Sequence, residues 1–143
     1  MRNCWILGSL VLCTIGCGGP SFVPVSGKVT LDDKPLANAT VGFYPLNAKT
    51  GTTPLTSSGR TNENGEYTLS AVMSKNKGAV VGKHRVSITV EPDLTGSDLP
   101  ANKLPKGGRP PKILPIYQGE SSELNCEVPS GGKTDANFTL KSK

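Results

Sequence analysis

The feature that most constrains this chain is the stretch Thr61-Asn62-Glu63-Asn64-Gly65-Glu66-Tyr67-Thr68-Leu69. Asn64 and Gly65 both tolerate φ > 0, as the central residues of a type I′ hairpin turn must. Beyond them Tyr67, Leu69 and Ala71 alternate with Glu66, Thr68 and Ser70, the period-2 pattern of a half-buried strand. The segment from Ser58 to Thr61 is its expected partner across the turn.

The same alternation recurs along the chain. Val25–Leu31 places Val25, Val29 and Leu31 on one face, and Asp32–Leu36 reads as the turn that follows. Ala39–Pro45 turns Ala39, Val41 and Phe43 inward. Lys83–Glu91 turns Val86, Ile88 and Val90 inward and Arg85, Ser87 and Thr89 outward. Leu124–Val128 and Asp135–Leu140 complete the series, the last with Ala136, Phe138 and Leu140 inward. The predicted core is Phe43, Tyr67, Leu69, Val86, Ile88, Val90, Phe138 and Leu140. With 17 Gly, 12 Pro and no long helical pattern, the expectation is an all-β domain with many turns. Seven short strands point to a sandwich of two sheets.

Asn47–Ser57 reads as a loop or ragged edge strand, and Met73–Val81 as a mobile loop. Pro92–Ser122 is a long Pro/Gly-rich insert placed before the last two strands. An unpatterned stretch of about thirty residues in a compact domain is either disordered or functional. It is the candidate binding loop: Lys103, Lys106, Arg109 and Lys112 suit an anionic partner, and the competing reading is a solvated loop. Its first half is expected to be mobile, and Ile113–Tyr117 to dock on the sandwich.

The N-terminus reads as an address. Arg2 followed by the apolar run Trp5–Ile15 has the form of a secretory signal and is short for a bilayer span. Thr14-Ile15-Gly16-Cys17-Gly18-Gly19 resembles a bacterial lipobox, although Thr14 stands where that motif prefers Leu. The resemblance implies cleavage before Cys17 and lipidation of its thiol with diacylglycerol. Two or three acyl chains would hold the protein durably, at ~0.8 kcal/mol per buried CH₂. Gly18 rather than Asp after the cysteine resembles the outer-membrane default. The expected division is a signal peptide over 1–16, a tether over 17–24 and one domain over 25–143.

Few residues suggest chemistry. The net charge of +5 is spread without a basic run, which argues against nucleic acid. Asp32-Asp33 reads as a pair of solvated turn formers. The competing metal reading lacks a third acidic residue at calcium-loop spacing. His84, the only His, has inward parity at a strand start and reads as a rim packing residue. A zinc set of the usual composition cannot be built around it. Cys126 alternates with Leu124 and Val128 and reads as a core residue. There is no Gly-x-Ser-x-Gly elbow. Asn38-Ala39-Thr40 and Asn137-Phe138-Thr139 match the glycosylation pattern by chance. The sequence thus gives no candidate catalytic, cofactor-binding or metal-ligating residue.

Val25-Ser26-Gly27-Lys28-Val29, Lys34-Pro35-Leu36-Ala37-Asn38-Ala39-Thr40-Val41, Thr61–Tyr67 and Gly82-Lys83-His84-Arg85-Val86 resemble the carboxypeptidase regulatory-like domain. The resemblance extends, less specifically, through Leu114-Pro115-Ile116-Tyr117 to the end. It implies a transthyretin-like, prealbumin-type sandwich, and together with the lipobox it resembles small bacterial envelope lipoproteins. The expected function is a lipid-anchored, non-catalytic accessory or binding module of the cell envelope. Its expected partners are the membrane and an envelope protein or polysaccharide. Two alternatives compete. One is a carbohydrate-binding module, for which Tyr44 and Tyr117 are the expected exposed rings. The other is a transthyretin-like hydrolase, whose several His and Arg residues and C-terminal Tyr-Arg-Gly-Ser this chain lacks.

Overall fold

The computed structural model describes residues 20–47, 55–90 and 111–142. Cys17 and most of the candidate binding loop, including Lys103, Lys106 and Arg109, lie outside them. The described residues are all-β, arranged in mostly antiparallel sheets as in a β-sandwich.

One sheet has five antiparallel strands. Its centre is β4 (Ala39–Pro45), flanked by β9 (Gly82–Val90) and β5 (Ser57–Arg60). Beyond β9 lies β10 (Asn125–Val128), and beyond β5 lies the two-residue β7 (Ser70–Ala71). The opposing sheet is built on β2 (Ser26–Leu31). Along one edge β2 pairs with β3 (Lys34–Pro35) and then β6 (Glu66–Thr68); along the other it runs parallel to β11 (Phe138–Leu140). Just ahead of β2, β1 (Phe22–Val23) pairs with β8 (Ala79–Val80). The stretch from Phe22 to Leu31 is therefore bonded on both sides, and its outer partner on one side is the end of the described chain.

The inward residues predicted for β4, β10 and β11 are buried as expected, and so are those of β9 apart from its last, although Ser87 between them is buried too. Val41, Phe43, Val86, Ile88, Val128 and Leu140 are fully buried or nearly so, and Cys126, Ala136 and Phe138 are buried beside them. They form one cluster with Val25, Val29, Tyr67 and Leu69 from the opposing sheet. The Phe43 and Phe138 rings meet edge-on across the interior, centroids 6.2 Å apart, a favourable arrangement of their quadrupoles. Val90 is only half-buried, because it ends its strand.

The predicted hairpin at Asn64-Gly65 is corrected. Only Gly65 has positive φ, at 75°, so the turn is not type I′. Asn62 organises it instead: its Oδ1 accepts the N–H groups of Asn64 and Glu66, each at 2.9 Å, in the Asx-turn manner. The strands on either side pair as predicted only in part: Ser58 does face Ser70 across the hairpin, but the residues nearest the turn part company. β5 pairs with β4 and β7, while β6 pairs with β2. Residues 66–71 keep an unbroken alternation but change sheets at Leu69, whose N–H reaches Val25. Burial parity is indifferent to which sheet supplies the partner, so the pattern foretold the faces and the β5–β7 pairing but not the departure of β6 to β2.

The type I′ geometry lies instead at Asp32 and Asp33, with φ of 50° and 66°, closing the tight hairpin of β2 and β3. Asp tolerates this region because its short side chain bonds locally. Two further expectations change. Phe22 and Val23, expected in the tether, are paired in β1. Met73–Val81, expected to be a mobile loop, contains the buried pair Ala79 and Val80 of β8, and Lys77 bridges to Ser70.

Candidate functional site

On the outer face of the five-stranded sheet, register sets the residues in rows. Gly42 lies between Ser58 and Ser87. Thr40 lies between Arg60 and Thr89. Tyr44 lies opposite Arg85 on one side and next to Thr56 on the other, which in turn bonds to Val72. These rows floor a groove of about 560 Å³, lined among the described residues by Thr40, Gly42, Tyr44, Thr56, Ser58, Val72, Met73, Ser87, Thr89 and Gly119. The volume falls in the range of about 300–1,000 Å³ typical of small-molecule sites.

Gly42 shapes the groove. A Cβ there would come 3.0 Å from Tyr44 Cε2 and 3.1 Å from its hydroxyl, so the missing side chain lets the phenol lean over the strand. Tyr44 keeps 38% of its surface exposed, and Met73 and Val72 form an apolar lip with 74% and 56% exposed. The far wall is Gly119, whose N–H donates to Ser87 Oγ at 2.7 Å. That bond, with the Ser122 hydroxyl donating to the Val86 carbonyl, straps residues 119–122 across β9. It also explains why Ser87, expected to face out, is buried.

The second half of the insert is thus a structural element as far as it is described. Ile113 is buried, Tyr117 packs against the core, and two short 3-10 turns span Pro115–Tyr117 and Gly119–Ser121. Tyr117, expected as an exposed ring, is half-buried there; Tyr44 is exposed as expected.

The other singled-out residues lie elsewhere. Asp32 Oδ1 accepts the Ser142 N–H at 3.1 Å; the Ser142 side chain first, then this backbone bond, and more weakly Lys141 and Lys34, hold its carboxyl below the usual range. Asp33 is 3.2 Å from Lys141 Nζ. Both carboxylates therefore fasten the end of the described chain to the β2–β3 turn, and no cluster of three or more potential metal ligands occurs among the described residues. Cys126 is buried, and burial pushes its thiol pKa up, which keeps it protonated and a poor nucleophile.

His84 is not at a rim. It is 1% exposed and tilts on Phe43 with ring centroids 5.6 Å apart. Its Nδ1 lies 3.0 Å from the Gly82 carbonyl, so the neutral ring carries its proton on Nδ1. Nε2 is buried with no partner among the described residues. Burial pushes its pKa down, opposed by the Gly82 bond. A depressed folded pKa means that stability is full above the unfolded value of about 6.5 and falls as pH drops towards the folded pKa. Between about pH 6.5 and 5, above the range of the carboxylates, urea titrations should show a loss of up to about 1.4 kcal/mol per pH unit. The variant His84→Leu should lose this slope; an unchanged slope would place its origin in another group.

Sequence reasoning found Tyr44 and missed the rest of the groove. The available signal was the outward parity of Thr40, Gly42 and Tyr44. The register that brings Ser58, Thr56 and Val72 beside them was not readable, nor was the docking of Gly119. Comparison with family models, curated proteins and solved structures finds no match to this chain.

Proposed function

We propose that the protein is a lipid-anchored, non-catalytic binding module of the cell envelope, held to a membrane through Cys17 and offering the outer-face groove to its partner. The observation that carries the binding reading is the groove's lining. Its described walls combine hydroxyls and apolar groups around the central strand β4, which is paired on both sides, with no carboxylate, imidazole or thiol among them. General acid–base and nucleophilic chemistry call for such groups within reach of the substrate, and the chain's single His is packed in the interior. A rigid sheet surface with few convergent polar groups suits recognition instead.

The finer fold reading, a seven-stranded prealbumin-like sandwich of the carboxypeptidase regulatory-like type, belongs to the same proposal. Its support is that residues 22–31 and 66–71 each run on as one extended segment. With these, β4, β5, β9, β10 and β11 make seven, and β3 and β8 are two-residue additions.

The anchor rests on Gly16-Cys17 after an apolar run, and the outer membrane is its proposed destination. Replacing Cys17 with Ser should move the protein from the membrane fraction to the soluble fraction, with the loss of the acyl mass by mass spectrometry. Retention in the membrane with the signal removed would refute the anchor.

A further inference from the structure

We propose that the groove binds a neutral oligosaccharide, one sugar ring stacking on Tyr44 and its neighbours bonding to the flanking hydroxyls. This rests on the reading of the groove as the module's binding surface. The phenol of Tyr44 leans over Gly42, so one side of the ring is turned to the sheet and its exposed surface faces the groove. An apolar ring face on a polar floor matches a pyranose, whose C–H face is apolar and whose edge is hydroxylated. Thr56 and Ser58 stand on one side of the ring, Thr40 and Thr89 beyond Gly42 on the other. Each hydroxyl can both donate and accept, which suits sugar hydroxyls of either orientation.

The charge pattern selects the class. In a chain with 27 charged residues, 16 Lys+Arg and 11 Asp+Glu, none of the ten described lining residues carries a formal charge. Arg60 and Arg85 share the face at the ends of neighbouring rows but do not line the groove. An anionic ligand would need cations within it. A peptide strand is disfavoured as well. It would need an open sheet edge, whereas the floor is β4, paired along both sides by β5 and β9.

The test uses the full chain purified in detergent micelles. Neutral glucan, galactan and N-acetylglucosamine oligosaccharides are screened on an array and then titrated calorimetrically, with oligogalacturonate and heparin oligosaccharides as charged counterparts. At least one neutral glycan should bind saturably. Tyr44→Ala should weaken it about tenfold or more, and Tyr44→Phe, which keeps the ring, by less. Ser58→Lys serves as a second variant should Tyr44→Ala fold poorly, and should also weaken binding. No binding by any neutral glycan at millimolar concentration, indifference to both Tyr44→Ala and Ser58→Lys, or preference for the acidic sugars overturns the proposal. A photo-crosslinker at Met73 in intact envelopes separates the two readings. Capture of a protein there would overturn the sugar and keep the binding module; capture of nothing, with no glycan bound, would remove both.

Discussion

Phe43→Ala is expected to lower the unfolding free energy by about 3–5 kcal/mol, the usual cost of emptying a buried aromatic site. Phe43 is fully buried at the centre of β4, the central strand of its sheet. Its ring meets Phe138 of the opposing sheet and His84 of β9. The truncation therefore removes transfer energy and also leaves a void between two sheets whose backbones are held by their own ladders and cannot collapse to fill it. A urea titration should show the midpoint falling with the slope unchanged. Phe43→Leu, which keeps most of the volume, should recover more than half of the loss. A cost below about 1 kcal/mol for Phe43→Ala would mean that the sheets do not close on this ring.

Gly27→Ala is expected to cost about 3 kcal/mol, the upper end for volume inserted into a packed site. A Cβ on Gly27 would fall inside the van der Waals radius of the Ala136 carbonyl oxygen. That oxygen is fixed from two directions. It accepts the Tyr67 hydroxyl at 2.6 Å, and the Ala136 N–H donates to Ser26 O at 3.1 Å. Tyr67 is itself the register partner of Gly27, so its side chain crosses the glycine to reach the carbonyl on the far side. One methyl would push on the backbone and on this crossing together. The control is Gly131→Ala, where a Cβ meets nothing within 4 Å and the change should stay within about 0.5 kcal/mol. If the two substitutions cost the same in a denaturant titration, the close approach at Gly27 carries no weight.

What was legible in the sequence follows from what alternation encodes. Period-2 patterning reports which side of a strand is wet, and it placed Val41, Phe43, Val86, Ile88, Tyr67, Leu69, Phe138 and Leu140 correctly. It carries no information on which strand lies alongside. The crossing of residues 66–71 from β2 to β5 was therefore hidden, as was the parallel pairing of β11 with β2. Turn chemistry misled for a similar reason. Asn64-Gly65 is permissive for a type I′ turn, but permission is not requirement, and the Asn62 side chain imposed a different loop. At Asp32-Asp33 the same geometry was reached by residues with a weaker preference for it. The groove depends on register across three strands and on a docked segment distant in sequence, so only Tyr44 could be found in advance.

The pairing of Phe22 and Val23 with β8 bears on how the protein would ride on its membrane. Phe22 stands five positions after Cys17. A fully extended chain covers about 3.3–3.6 Å per residue, so the leash from an acylated Cys17 to the first paired residue spans at most roughly 18 Å. The strand pair β1–β8 would then be the part of the module held nearest the headgroups, and reach beyond the leash would come from the width of the folded module itself.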